Sequence, residues 1–459
     1  MARKKQPPKI ARMDSLKQVK LDAAALDVHP DEIWACVPED RSEQTVRQFG
    51  TYTCDLHALA EWLEACDVHT VALESTGVYW IPIYEILDER GFELCLINPH
   101  TAKSIDGRKS DLLDCQWLQK LHTYGLLRAS FRPEAEIVTL RAYVRQRENL
   151  LRQRAVQIQH MQKAMELMNV KLTEVVSDIT GVTGMTIIRA IVAGERDSKR
   201  LASFRQYQCK RSEEEIAKAL QGSFQPEHLF VLRQAVELYD FYDLQLRACD
   251  AEIEKQYTHI TSVIDSRDAP LPPSKSRVRT NKKANYPSYD LRTILYERCG
   301  VDLTVVEGLD VVLLQTLIAE VGVDMSKWKT DKHFASWLGL APNNRVSAGV
   351  VKSRRTKPTK NRANQAFRMA AWAVANSHSA LGAFYRRIRA KHGGFKAVTA
   401  TARKIAVIFY HMLKTKEPYR EMGESYYDKQ QQERAIRSLQ RKAARLGLVL
   451  LNPAQPAVT

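Results

Sequence analysis

The sequence predicts an α/β N-terminal domain, a long helical coiled-coil middle and a mainly α C-terminal domain. Three observations carry this. Short apolar runs alternate with helix-like stretches from about residue 19 to 125. A 3-4 apolar stripe then runs from 137 to 175. Beyond a Pro-rich and basic stretch, a second globular region contains mostly helical periodicity.

Residues 1–18 are polar and basic and read as a disordered tail. Ala23–Val28 and Ile33–Val37 read as two strands joined by the turn His29-Pro30-Asp31-Glu32. A helix is expected from Asp55 to Ala65, and a buried strand from His69 to Glu74. Val78–Arg90 is helical and ends at Gly91. Phe92–Ile97 is another strand, stopped by Asn98-Pro99, and Ser110–Leu121 is a helix with Ser110 as N-cap. A hairpin followed by alternating helices and strands makes a mixed α/β sheet over residues 19–133.

Residues 134–264 form the helical region. Positions 137, 140, 144, 147, 151, 154, 158, 161, 165, 168, 172 and 175 keep the spacing, and only Arg147 and Arg154 interrupt the apolar stripe. A second stripe follows at Leu232, Ala235, Tyr239, Tyr242, Leu246, Cys249 and Ile253. The two helices can pair with each other or with a second subunit, and spacing alone does not choose. Residues 265–289 read as a Pro/basic linker, 290–420 as a second globular domain, and 421–459 as a charged tail.

The chain has 459 residues, 69 Lys and Arg against 53 Asp and Glu, and a net charge of +16. Such a field concentrates phosphates, so the expected partner is DNA or RNA. No apolar run approaches the roughly 20 residues that span a bilayer, and no apolar signal core follows the basic start. A cytoplasmic protein is expected. The eight cysteines show neither CxxC pairing nor zinc spacing, which excludes disulfide frameworks and zinc modules.

The candidate chemistry begins with four acids. Asp27 closes the first strand, Glu74 closes a later one, and Asp111 and Asp114 share a helix face. Clustered carboxylates repel unless cations neutralise them, and hard oxygen ligands suit Mg²⁺ or Mn²⁺. Two such ions activate a nucleophile and stabilise a leaving oxygen in phosphodiester cleavage. Spacing alone leaves the ordinary alternative open, in which a DxxD pair is a solvated helix face. A carboxylate at the end of a central strand is also found in RNase H-like nucleases and junction resolvases, which this order of elements resembles.

From Lys332 to Lys416 there is no Asp or Glu, while 18 Lys and Arg occur. About ten acids would be expected at the chain's own average, so this surface is suited to phosphates. The basic arm Lys352-Ser353-Arg354-Arg355-Thr356-Lys357-Pro358-Thr359-Lys360-Asn361-Arg362 lies inside it. Just upstream, small and turn-forming residues surround Ser347. A lone loop serine is ordinarily a turn residue; nearby positive charge would also suit an attacking hydroxyl.

Together, Leu26-Asp27-Val28-His29, Leu73-Glu74-Ser75-Thr76-Gly77-Val78-Tyr79-Trp80, Ile97-Asn98-Pro99, Gly107-Arg108-Lys109-Ser110-Asp111-Leu112-Leu113-Asp114 and Phe334-Ala335-Ser336-Trp337-Leu338-Gly339-Leu340-Ala341-Pro342 resemble the IS-one-ten family of insertion-sequence transposases. The resemblance covers about 20–130 and 300–420. It implies a RuvC/RNase H-like domain whose metal-binding and catalytic acids are Asp27, Glu74, Asp111 and Asp114 with Mg²⁺ (Mn²⁺ possible), and a C-terminal domain whose nucleophile is Ser347. It implies DNA partners (element ends and target), a structured guide RNA from the element, and a homo-oligomer, dimer or tetramer, whose active site combines two subunits. Such a protein would work on the nucleoid of a prokaryote. Nucleic-acid contacts are expected from Arg108, Lys109, Arg345, Lys352, Arg354, Arg355, Lys357, Lys360 and Arg362. Three positions depart from the family pattern: Val306-Glu307-Gly308-Leu309-Asp310 replaces a Pro-Gly-Ile-Gly turn, both Arg345 and Val346 precede Ser347, and Pro30 stands where Lys is common. The alternative function is a metal-dependent, junction resolvase-like nuclease without a covalent serine step. A third is a binding protein without enzymatic activity.

Overall fold

The computed structural model describes residues 17–75, 77–98, 111–273, 285–347, 350–353, 355–359 and 361–448; for 111–113 and 345 the backbone alone is described. The chain separates into two compact units, residues 1–132 and 133–459.

The first unit is a five-stranded sheet with helices on both faces. Its elements are β1 (Ala23–Val28), β2 (Ile33–Cys36), β3 (Val46–Phe49), α1 (Thr53–Ala65), β4 (Thr70–Glu74), α2 (Trp80–Glu89), β5 (Glu93–Ile97) and α3 (Asp111–Thr123). The strand order is β3-β2-β1-β4-β5. β1 pairs antiparallel with β2 and parallel with β4, and β4 pairs parallel with β5. β1 is buried along its whole length, as a central strand should be, and Asp27 is the one charged residue in its otherwise apolar run. β3 was not expected from the sequence; its residues Val-Arg-Gln-Phe form a half-exposed edge with a weak apolar signal.

Strand alternation divides the sheet into two faces. Ala24, Leu26, Val28, Val71 and Leu73 pack on Leu56, Leu59, Leu63, Ile83 and Leu87 of α1 and α2. Ala25, Ala72 and Ile97 face the other way, against Leu118 of α3. Alanine at two of these positions lets α3 lie close to the sheet. Cys115 Sγ is 3.3 Å from the Ala25 carbonyl, and Gln119 Nε2 donates to the Ala23 carbonyl at 3.1 Å. Moving up the helix therefore moves down β1: α3 runs antiparallel to it, and its first turn lies towards the end of β1 that carries Asp27.

The second unit is helical apart from one hairpin. α4 (Ala135–Leu167) is followed by α5 (Leu172–Val175), α6 (Val182–Val192), α7 (Ser198–Ala202), α8 (Glu213–Ala219) and α9 (Pro226–His259). α4 and α9 pack against each other within the chain. The stripe-breaking arginines are buried: Arg147 pairs with Asp250 and Arg154 with Asp243 across the helices. The descending partner numbers give an antiparallel pair. The expected helix to 175 is shorter. α4 stops at Leu167, and Asn169 takes φ 56°, a left-handed residue that ends helices. Met168 and Leu172 continue the apolar spacing past the end of the helix, in a core that joins Met161 and Met165 of α4 and Leu232 of α9 with Ile187, Ile188, Ile191, Leu201, Ile216 and Leu220. The expected linker does not end free: the Asn285 carbonyl and side chain accept from Arg147 and Arg154, and Ser288 N donates to Asp250 at 3.0 Å.

Next come α10 (Leu291–Cys299), α11 (Val311–Val321), α12 (Asp331–Trp337), β6 (Arg345–Ser347), β7 (Val350–Ser353), α13 (Arg362–Ala373), α14 (Ala380–His392), α15 (Gly394–Thr415) and α16 (Gly423–Arg445). Phe334, Phe367, Phe409 and Tyr410 form the aromatic centre of this part. Arg145 holds Glu320 of α11 with two contacts of 2.9 Å, tying α11 to α4. At the departure from the family turn, Gly308 takes φ +88°, and a Cβ there would stand 2.5 Å from the Ala370 carbonyl. No described helix is long and apolar enough to cross a membrane.

Candidate active site

Parallel pairing places Leu26 opposite Leu73, so Asp27 and Glu74 are the next residues on neighbouring strands. Both follow the parity of Ala25 and Ala72 and belong to the sheet face that carries α3. Asp27 is 8% exposed; Glu74 is half-buried. Ser75 fixes the chain immediately after Glu74: its amide and hydroxyl both donate to the Ile97 carbonyl, at 2.8 and 2.9 Å.

α3 supplies the other two acids. Asp111 is its first residue, and Asp114, half-buried, lies one turn on, beside Cys115. The Cys115 thiol is pushed well above its usual range by burial first, then by Cys36 and by the negative charge of Asp27. Cys115 Sγ also lies 3.2 Å from the carbonyl of Trp34, the β2 partner of Asp27, which brings the Asp114–Cys115 turn close to Asp27. The Asp111 side chain lies outside the described residues. Among those described, no three His, Cys, Asp or Glu side chains are gathered closely enough to hold a metal ion. The donor chemistry nevertheless fits a hard divalent cation: every candidate is a carboxylate, and neither sulfur nor imidazole is among the four.

His29 was not assigned a role from sequence. Its Nε2 lies 3.2 Å from Asp27 Oδ2 at the mouth of the site. This contact fixes the orientation of the Asp27 carboxylate. The signal was its place two residues after Asp27, on the same side of the chain, visible only once the strand register is known.

At the opposite end of the sheet lies a second polar group. His122 is buried and its Nε2 is 2.9 Å from Thr70 Oγ1. Burial, with Lys20 nearby, lowers its pKa to about 4, so it is neutral at physiological pH. It is a packing group, distant in the strand direction from Asp27.

In the second unit, β6 and β7 pair antiparallel, with Ser347 opposite Val350 as the last pair. Ser347 is exposed. Ala348 and Gly349, between the strands, lie outside the described residues. The base of this arm is closed by a bridge between Pro342 and Thr356 and by the Asn343 amide on the Arg355 carbonyl at 3.0 Å. Gly339 permits the approach: with φ +70°, a Cβ there would meet Thr359 at 2.8 Å. Lys352, Arg355 and Lys357 are exposed on the arm. Arg345 is in β6 by its backbone; Arg108, Lys109, Arg354 and Lys360 lie outside the described residues. Arg362 differs from the rest. It opens α13 and its guanidinium is held by Glu148 of α4 at 2.6 Å, which makes it an anchor of the arm's base. Asn361 caps that helix, accepting from Ala363 N at 2.8 Å and Asn364 N at 3.3 Å.

Two family models match. A model of IS110-type DEDD transposases, described as "Transposase", matches residues 24–170 and so spans the four acids and α4. A model described as "Transposase IS116/IS110/IS902 family" matches residues 302–386, which includes the β6–β7 arm. Together they cover just over half of the chain. No curated protein matches it.

Proposed function

Since the chain belongs to the IS110 family of transposases, we propose that it cuts and rejoins DNA using a four-carboxylate metal site and a serine nucleophile. The observation that carries this reading is the pairing of Asp27 and Glu74 at the ends of adjacent parallel strands, on the face that receives the start of α3. The order β3-β2-β1-β4-β5, with an antiparallel half and a parallel half, supports a RuvC/RNase H-like fold.

Asp27, Glu74, Asp111 and Asp114 would hold Mg²⁺, or Mn²⁺, with His29 orienting Asp27. The bound cations would neutralise the scissile phosphate and the oxygen that leaves it. Ser347 Oγ attacks phosphorus; a phosphoserine bond forms as a DNA hydroxyl departs. The phosphate ester energy is kept in this link, and attack by a hydroxyl of another strand returns the serine and joins DNA to DNA. An exposed hydroxyl at the end of a hairpin, on an arm that also exposes Lys352, Arg355 and Lys357, supports this role. The cations of the arm hold nucleic acid by its phosphates. The reading includes a structured guide RNA and a homo-oligomer, supported by the sequence resemblance and by the acid-free run from Lys332 to Lys416.

The test is to incubate the full chain with element-end DNA and Mg²⁺, with and without Ser347→Ala. The reading expects a denaturation-resistant protein–DNA adduct that the variant lacks. Cleaved, adduct-free DNA with undiminished rates in Ser347→Ala would instead support a junction resolvase-like nuclease.

A further inference from the structure

α14 and α15 meet at a corner of one residue, Gly393, with φ 84°. The corner stands clear of the body: a Cβ built on either Gly393 or Gly394 meets nothing within 4 Å. At this tip sits Phe395, 91% exposed, the most exposed of the large apolar side chains among the described residues. Its helix is otherwise well anchored. Ala397, Val398, Thr401 and Ala402 are buried, so Phe395 is held outward by a rigid element.

A single exposed apolar side chain is common on protein surfaces. The surroundings make this one different. Arg389, Lys391, His392 and Lys396 are all exposed within six residues of it. No acid lies nearer in sequence than Glu417 on one side and Asp331 on the other. A ring offered to solvent beside exposed cations is complementary to a chain that combines anionic groups with flat apolar faces. Nucleic acid has that combination. Phosphates would meet the cations, and a base face would cover the ring. A fully stacked duplex offers no free face to a protruding ring, so the ring selects a base that is unpaired or a step that can be wedged open. Strand exchange requires such bases. Phe395 also lies beyond residue 386, where the C-terminal family match ends.

We infer that the α14–α15 corner is a base-stacking site at which Phe395 covers an unstacked DNA base while Lys391 and Lys396 hold the flanking phosphates. This rests on the chain acting on DNA, but not on the metal site or on Ser347.

The test uses the full chain, without Mg²⁺, and a DNA duplex carrying 2-aminopurine in a small bulge, beside the same duplex fully paired. The wild-type protein is expected to quench the bulged probe. Phe395→Ala should lose the quench and bind the bulged duplex about tenfold more weakly, while binding the paired duplex within about twofold of wild type. Phe395→Trp should restore quenching. Equal binding of the bulged duplex by Phe395→Ala and wild type would overturn the proposal, as would a loss shared equally by both duplexes. So would a Phe395-dependent preference confined to single-stranded RNA of the same sequence, which would assign the ring to another polymer. Because the readout is binding, an absence of cleavage or of a serine adduct leaves this result intact.

Discussion

Asp27 and Glu74 stand side by side, one residue beyond the Leu26–Leu73 pair of two parallel strands, on the face that packs α3. Neighbouring carboxylates repel, and a divalent cation removes the repulsion. On the proposed reading Mg²⁺ should therefore raise the melting temperature of the wild-type protein, as a ligand that prefers the folded state does. Glu74→Gln should abolish this rise and lower metal-dependent DNA cleavage at least about a hundredfold. DNA binding in EDTA should not change. A Mg²⁺-induced rise that persists in both Asp27→Asn and Glu74→Gln would remove these acids from the site.

His122 gives the first unit a predictable acid sensitivity. Its folded pKa of about 4 lies below the ordinary value of 6.5. The folded state thus binds fewer protons than the unfolded state between these values, and stability rises with pH across that window. Acidification from pH 6.5 to 4 should cost about 3 kcal/mol from this group, with no further cost from it below pH 4. His122→Gln should flatten that part of the profile. Urea unfolding followed at several pH values measures the slope, and an unchanged slope in the variant would contradict the assignment.

Arg147 and Asp250 are both buried between α4 and α9, and Asp250 also receives the Ser288 amide. Removing one charge strands the other in a dry interface. Asp250→Ala should destabilise the second unit by about 3–5 kcal/mol. Replacing the pair together, Arg147→Met with Asp250→Leu, should cost much less. Thermal unfolding of the three proteins decides this; equal losses in the single and double variants would mean that packing, not charge, dominates.

The exposed cations of the arm should act through phosphates. Converting Lys352, Arg355 and Lys357 to Ala should lower the slope of log K against log salt by about 3, since each neutralised phosphate contributes about 0.9. Arg362→Ala should act differently. It breaks the contact with Glu148 and should lower stability more than it lowers the salt slope. Binding titrations between 50 and 200 mM salt, a range in which such contacts are resolved, separate the two.

The apolar runs that reach Asp27 and Glu74 were readable because central strands are continuous in their hydrophobicity; Glu74 ends β4, whereas β1 continues one residue past Asp27 to Val28. The placement of α3 was readable only as a helix. Its direction over β1 depends on Ala23 and Ala25 being small enough to admit Cys115 and Gln119, a pairing with no local signal. The edge strand β3 was missed because Arg47 and Gln48 are exposed and carry no period. The 137–175 stripe overran its helix because Met168 and Leu172 keep the spacing after the chain has turned at Asn169. Arg147 and Arg154 read as flaws in that stripe, although each meets an acid about 90–100 residues away. Such long-range partners leave no mark in a window of sequence.

The most direct measurement of the central claim is peptide mapping of the protein–DNA adduct formed with element-end DNA and Mg²⁺. The account predicts one nucleotide-bearing peptide, with the phosphate on Ser347, formed by wild-type protein and absent from both Glu74→Gln and Ser347→Ala. An adduct on another residue, or cleavage that proceeds with no adduct at all, would contradict it.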